Sequence, residues 1–319
     1  MSIRVSAPGK LLLLGDHAVV YGYPCLVTAV DRRIYVEAEI IDADNDDIIT
    51  PQVKESRFVL ESIAYFKERF HIKESVRVKT RGDFSHQVGL GSSSAVTVAT
   101  FKALGLLFDK RMSLDELFQM GYRVNLLIQG VGSGFDIAAA TYGETLEYIK
   151  GGKHMEPLHI KSLPLVVGYS GAKADTPFYI RRVAESFKSK KEEMEKIFSS
   201  MQMLVEKAKR ALQTENFIDA GSCMNENQKL LVRLGVSTPK LDDMIASAIQ
   251  AGAYGAKLSG AGGGDCMIAL ADEARRGAVE KSIEKAGGEI IHVNVNATGV
   301  MMESSYANNG QPKRAIHRG

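Results

Sequence analysis

Thiols, surplus charge of one sign and long apolar runs are all scarce in this 319-residue chain, and each shortage removes a class of protein. The three cysteines, Cys25, Cys223 and Cys266, are odd in number and far apart. That excludes a disulfide framework and a thiolate zinc site, and leaves them as packing residues. The seven histidines are equally scattered, with no HExxH and no Cys/His pair, so any metal would need oxygen ligands. A net charge of +2 supplies no concentrated basic face for nucleic acid or a membrane surface. No apolar run approaches the roughly 18 residues of a membrane span, and Met1 to Lys10 lacks the apolar core of a secretory signal. The expectation is a cytoplasmic protein without nucleic-acid or membrane partners.

What remains is an ordinary globular composition, 45% hydrophobic and 24% charged, which rules out a disordered chain. The length exceeds the range of about 250–300 residues at which a single core stops growing, so two closely packed domains are expected. Pro157 and Pro164 bracket a short polar connection, which divides the chain into residues 1–156 and 157–319. In the first part, residues 3–40 read as strands broken by a Gly-rich turn, and Asp42 to Asp47 as a solvated loop. Helical spacing of Phe58, Ile63, Tyr65, Phe66 and Phe70 predicts a helix over 53–70. Ser113-Leu114-Asp115-Glu116 is a capping box that starts a helix running to Gln129 and stopping at Gly130. The second part reads as a strand at 165–169, charged helices over 177–234, a helix from Pro239, a strand after Gly264, a helix over 272–286, strands over 289–303 and a frayed tail from Ala307.

Glycine concentrates in three places: Pro8-Gly9-Lys10, Gly89 to Ser94, and Ser259 to Gly264. The middle run, Gly89, Leu90, Gly91, Ser92, Ser93 and Ser94, sits between a strand-like segment and the helix-forming stretch Ala95–Leu107. Free N–H groups and the helix dipole favour an anion such as phosphate at that junction. No GxxxxGK[ST] occurs, and Ser94 stands where a dinucleotide loop needs its third glycine, so neither standard nucleotide fingerprint applies. Phosphoryl transfer also needs a carboxylate and a cation. Asp136 follows Gly132-Ser133-Gly134-Phe135 into an Ala-rich helix, and Lys10 follows a Pro-Gly turn. Either residue alone reads as a cap or a solvated turn; together with three glycine loops they read as a site.

These residues resemble the three motifs of the GHMP kinases, over nearly the whole chain. Ser6-Ala7-Pro8-Gly9-Lys10 with Gly15-Asp16-His17 is most similar to the first motif of the archaeal-type mevalonate kinases. Gly168 to Thr176, Met224 to Gln228 and Gly255 to Gly264 continue the likeness. The resemblance implies an α+β fold, with an N-terminal ribosomal-protein-like sandwich, a ferredoxin-like C-terminal domain and a cleft between them. It implies ATP with Mg²⁺ as cofactor, and transfer of the γ-phosphoryl group to the 5-hydroxyl of mevalonate in isoprenoid synthesis. Alternatives are a phosphorylated mevalonate or a sugar as acceptor, or a family member that only binds ligand. A homodimer is compatible with the likeness.

By the same resemblance Asp136 accepts the substrate proton, and Lys10 assists it by an ion pair. The loop from Gly89 to Ser94 cradles the nucleotide, with Ser93 toward the metal. His17 faces the substrate carboxylate, and Thr176, Gly260 and Ala261 line the substrate pocket. The chain departs from the pattern at Asn125, eleven residues before Asp136, where a glutamate usually gives a second metal ligand. An amide oxygen can still ligate Mg²⁺, with one negative charge fewer. Asp16, Gly132 and Ser85 to Val88 are further departures.

Overall fold

The computed structural model describes residues 2–53 and 56–303; the tail from Ala307 lies outside them. Ser2–Leu14 (β1) and Cys25–Ile41 (β2) form a long antiparallel pair whose register shifts at Pro8/Gly9. Gly9 is needed there, because a Cβ would lie 2.9 Å from the carbonyl oxygen of Leu90. Its absence lets the Gly89–Ser94 loop dock on the strand, where Lys10 N–H donates to Leu90 O at 2.9 Å.

Asp47–Ile49 (β3), Arg57–Phe70 (α1) and Ser75–Gly82 (β4) follow. The helix starts four residues later than its apolar spacing predicts, because Ser56 caps it through the Val59 N–H. The acidic loop is partly structural: Asp46 pairs with Lys67 and Asp47 with Arg77, each at 2.6 Å. Ser92–Leu107 (α2) packs on β1 and β2 and between α1 and Leu114–Gln129 (α3), so residues 94–101 are buried on every side. The capping box forms, with Glu116 N–H on Ser113 Oγ at 3.2 Å and Ser113 N–H on Glu116 Oε2 at 2.9 Å. Gly130 ends this helix at φ 72°.

Phe135–Tyr142 (α4), Thr145–Ile149 (β5) and His154–Pro157 (β6) complete the first unit. The second is an antiparallel sheet made from Leu165–Tyr169 (β7), Gly255–Ser259 (β8), Cys266–Leu270 (β9) and Glu289–Ile290 (β10), in the order β10-β7-β9-β8. Its helices are Thr176–Ser186 (α5), Lys191–Gln213 (α6), Phe217–Arg233 (α7), Pro239–Gln250 (α8) and Glu273–Lys285 (α9). Helices α7, α8 and α9 pack on the sheet. Every residue of β7, β8 and β9 is buried.

The expected division at 156/157 falls at the end of β6, but the second part is not self-contained. Residues 294–303 return to the first sheet, where Met301–Met302 (β11) pairs with β1 beyond bridges at Val295 and Thr298. The strands expected over 289–303 are correspondingly short. Asn296 interrupts them at φ 58° and spends its side chain on Thr145 and on Ile160 O. One apolar cluster runs from β1 and β2 into Leu165, Val167, Val205, Met224 and Ile268, so the two units share a core. The cysteines are buried and unpaired, and burial pushes the Cys266 thiol up to about 12. Among the described residues no helix is long and apolar enough to cross a membrane.

Candidate active site

A cavity of about 730 Å³ opens between the units, lined by both; small-molecule sites span roughly 300–1,000 Å³. Lys10, His17, Gly89, Gly91, Ser92, Ser93, Asn125, Asp136, Thr176, Gly260 and Ala261 all line it, although they come from six separate stretches of sequence. Two members of the middle loop do not. Leu90 is turned into the core, and Ser94 is fully buried with its hydroxyl on Asp136.

Helix α2 begins at Ser92 behind Gly91, which adopts φ 79° and has no side chain to cap the first turn. Its N-terminal N–H groups are therefore available to an anion. Gly91 also admits the Lys10 stem, since a Cβ there would meet Lys10 Cγ at 3.1 Å. The Lys10 ammonium donates to Gly89 O at 2.9 Å and lies 5.6 Å from the centre of the Phe135 ring. The expected ion pair with Asp136 is absent among the described residues. The glycine loop's own carbonyl takes the ammonium instead and holds it at the loop's edge.

Asp136 enters on the first turn of α4 behind Gly134 at φ 91°. This turn is fixed from beneath, where the Tyr148 hydroxyl donates to Ser133 O at 2.6 Å. Asp136 Oδ2 accepts from Ser94 Oγ at 2.8 Å, and Ser94 Oγ in turn accepts from Asn125 Nδ2 at 3.3 Å. Asn125 is 5% exposed, and its Oδ1 has no partner among the described residues. A buried, unpaired carbonyl oxygen in the cavity wall is costly unless a ligand or ion completes it.

His17 adopts φ 60° and ψ −48°, an unusual conformation for a residue with a Cβ. It is buried, with Nε2 2.8 Å from Ala261 O. A carbonyl only accepts, so Nε2 carries the proton. Burial holds the ring's pKa below its ordinary value, which leaves Nδ1 a buried acceptor without a partner among the described residues. In this neutral form Nδ1 suits a hydroxyl; meeting a carboxylate requires a second proton on the ring.

Beneath His17, Asp16 and Lys257 form an ion pair at 2.8 Å with both side chains fully buried. Asp16 also accepts the Gly260 N–H at 2.8 Å and the Asn227 amide at 3.4 Å. Ser259 Oγ bonds both the N–H and the carbonyl of Leu12. The third glycine loop and the strand β8 before it are thus fastened to β1 and to Asp16 just after it, by neutral bonds at Ser259 and Gly260 and an ionic one at Lys257, across the unit boundary. The sequence reading missed Lys257 as a partner, because nothing local links two charges 241 positions apart; Asp16 is noticeable only as a departure from the pattern of the resemblance.

Asp265 was also missed. It follows the glycine run at φ 56° and places its carboxylate where a Gly89 Cβ would stand, 2.5 Å from its Cγ. Burial raises its pKa, opposed by the Ala174 N–H and by Lys10 and Lys173. Its interruption of the glycine run was the available signal. A separate carboxylate–histidine cluster, Glu147, His154 and Glu156, lies outside the cavity and is bridged by Lys209, 2.7 Å from both glutamates.

Comparison with known proteins identifies the family. The family models for the GHMP kinase N-terminal domain and C-terminal region match residues 57–144 and 208–289. The mevalonate kinase of Thermococcus sibiricus is 36% identical, over 95% of this chain and 99% of its own. The chain belongs to the GHMP kinases. The mevalonate kinase of Pyrococcus abyssi is 37% identical over 94% of this chain and 98% of the relative. The solved Methanococcus jannaschii mevalonate kinase superposes with a TM-score of 0.80 at 27% identity, covering 92% of this chain and 98% of that one. The fold is accordingly that of a GHMP kinase, and the chain is an ATP-dependent kinase.

Proposed function

We propose that this GHMP kinase transfers the γ-phosphoryl group of ATP to the 5-hydroxyl of mevalonate, giving 5-phosphomevalonate and ADP for isoprenoid synthesis. The observation that carries the reading is the convergence of Asp136, Lys10 and the α2 N-terminus on one cavity. Ile34, Val53, Phe58, Phe84 and Val96 give one part of that cavity apolar walls suited to the nucleotide base. The phosphates lie on the N–H groups of Gly91 to Ser93, and Lys10 faces their charge. Ser93 and Asn125 both line the cavity, and a hydroxyl and an amide oxygen are donors of the kind Mg²⁺ takes, so these two residues would hold the ion. Bound with the nucleotide, Mg²⁺ supplies neutralisation of phosphate charge. Asp136 takes the proton of the attacking hydroxyl through the carboxylate edge that Ser94 leaves free. The side chains of His17 and Thr176, with the backbone of Gly260 and Ala261, hold the rest of the acceptor.

A phosphorylated mevalonate is the second reading, favoured by the neutral Asn125 and by Lys173 in the cavity wall. Purified protein with ATP and Mg²⁺ should release ADP with mevalonate, and phosphorus NMR should place the new ester on C5. Turnover with mevalonate 3-phosphate or 5-phosphomevalonate but not with mevalonate would replace the first reading by the second.

A further inference from the structure

We infer that Asn125 is a positioning residue for the catalytic base: its amide fixes the Ser94 hydroxyl so that the single Ser94 proton is committed to Asp136. The inference rests on the kinase reading above and adds a role that a glutamate at this position could not fill.

Proton direction follows from the partners. An ionised carboxylate only accepts, so at 2.8 Å Ser94 Oγ–H must be the donor to Asp136 Oδ2. A hydroxyl has one proton, so toward Asn125 the same oxygen can only accept. The group 3.3 Å away must then be the amide Nδ2 and not the carbonyl. The side-chain orientation of Asn125 is set by this network, and Oδ1 is forced to the position where it has no partner among the described residues. Ser94 is fully buried and Asn125 is 5% exposed, so water does not compete readily for either bond.

The chain Asn125 N–H to Ser94 O–H to Asp136 carboxylate therefore runs in one direction. It engages Oδ2 and leaves Oδ1 of Asp136 as the atom free to receive the substrate proton. A carboxylate at position 125 would reverse the logic, because two anions would compete for the one Ser94 proton and Asp136 would lose its fixed orientation part of the time. An amide alone satisfies both ends, donating to Ser94 while presenting a carbonyl oxygen to a cation. The loss of one charge at this position is thus coupled to a gain in order at the base.

The test uses Asn125→Asp, which removes the donor with almost no change in shape, together with Ser94→Ala and the double variant. Mevalonate kcat and KM are measured alongside Mn²⁺ affinity of the enzyme–nucleotide complex by EPR, with thermal melts as the control for folding. Asn125→Asp should bind Mn²⁺ more tightly yet lower kcat by about 10-fold, less than the 10² or more expected on losing the base itself. Ser94→Ala should lower kcat similarly with Mn²⁺ affinity and acceptor KM nearly unchanged. The double variant should be no slower than the worse single one, since both act through one hydroxyl. A kcat for Asn125→Asp equal to or above that of the parent, an unaffected Ser94→Ala, or effects that multiply in the double variant would overturn the inference. Turnover of the parent with mevalonate separately tests the kinase reading; if it fails, the variant-to-parent ratios are taken with whichever acceptor is phosphorylated.

Discussion

The buried Asp16–Lys257 pair offers a demanding test of how the two halves of the molecule are joined. Both side chains are fully buried and 2.8 Å apart. Burial depresses the Lys257 amine and Asp16 supports it. Replacing Lys257 with Met keeps the stem but strands the carboxylate, which among the described residues retains only the Gly260 and Asn227 donors. Breaking such a pair costs about 3–5 kcal/mol, a large share of a total stability of roughly 5–15 kcal/mol. Asp16→Asn with Lys257→Met removes both charges and leaves an amide oxygen for the Gly260 N–H, so much of that loss should return. Urea denaturation of the parent, both single variants and the double variant would measure a coupling of about 2 kcal/mol or more. A Lys257→Met penalty below about 1 kcal/mol, or simple additivity, would refute the idea that this pair is a desolvated tie. Because the pair holds Gly260, and Ala261 holds His17, the single variants should also raise acceptor KM more than they lower kcat.

Three further outcomes follow from the same geometry. Asp136→Asn should retain its fold by circular dichroism and lose on the order of 10² or more in kcat; near-normal turnover would remove it as the base. Gly89→Ala should lower nucleotide affinity measured by calorimetry, because its Cβ would stand 2.5 Å from the Asp265 carboxyl carbon at φ 73°, whereas Asp265→Gly in the same chain should relieve the clash and restore part of the loss. His17 has a folded pKa below its ordinary 6.5, so the unfolded chain binds more protons just beneath that value, and stability should fall as pH drops through it. His17→Gln should flatten that portion of the stability profile between about pH 5 and 7 in urea titrations, and an unchanged slope would show that His17 is not its source.

Much of the site was legible because its chemistry is local. Glycine at 9, 91 and 134 is dictated by backbone geometry, and Ser113 with Glu116 writes a helix start into four residues. Lys10, Asp136 and the Gly89–Ser94 loop could be singled out because phosphate, base and cation require those residue types. The bonds between them were not legible. Lys10 is claimed by Gly89 O, and Leu90 is turned into the core.

What the sequence determined by itself was most of the helices, the longer strands and the family pattern, since helix caps, apolar periodicity and glycine turns depend on neighbours a few residues away; the short strands β3, β5, β6 and β8 were not read from it. Only the tertiary structure decided that residues 294–303 return to the first sheet, that Asp16 meets Lys257, and that Asn125, Ser94 and Asp136 form one directed chain. Those contacts join positions far apart in the chain. Hydrogen-bond direction and ion pairing are fixed by which groups the shared core brings within about 3 Å.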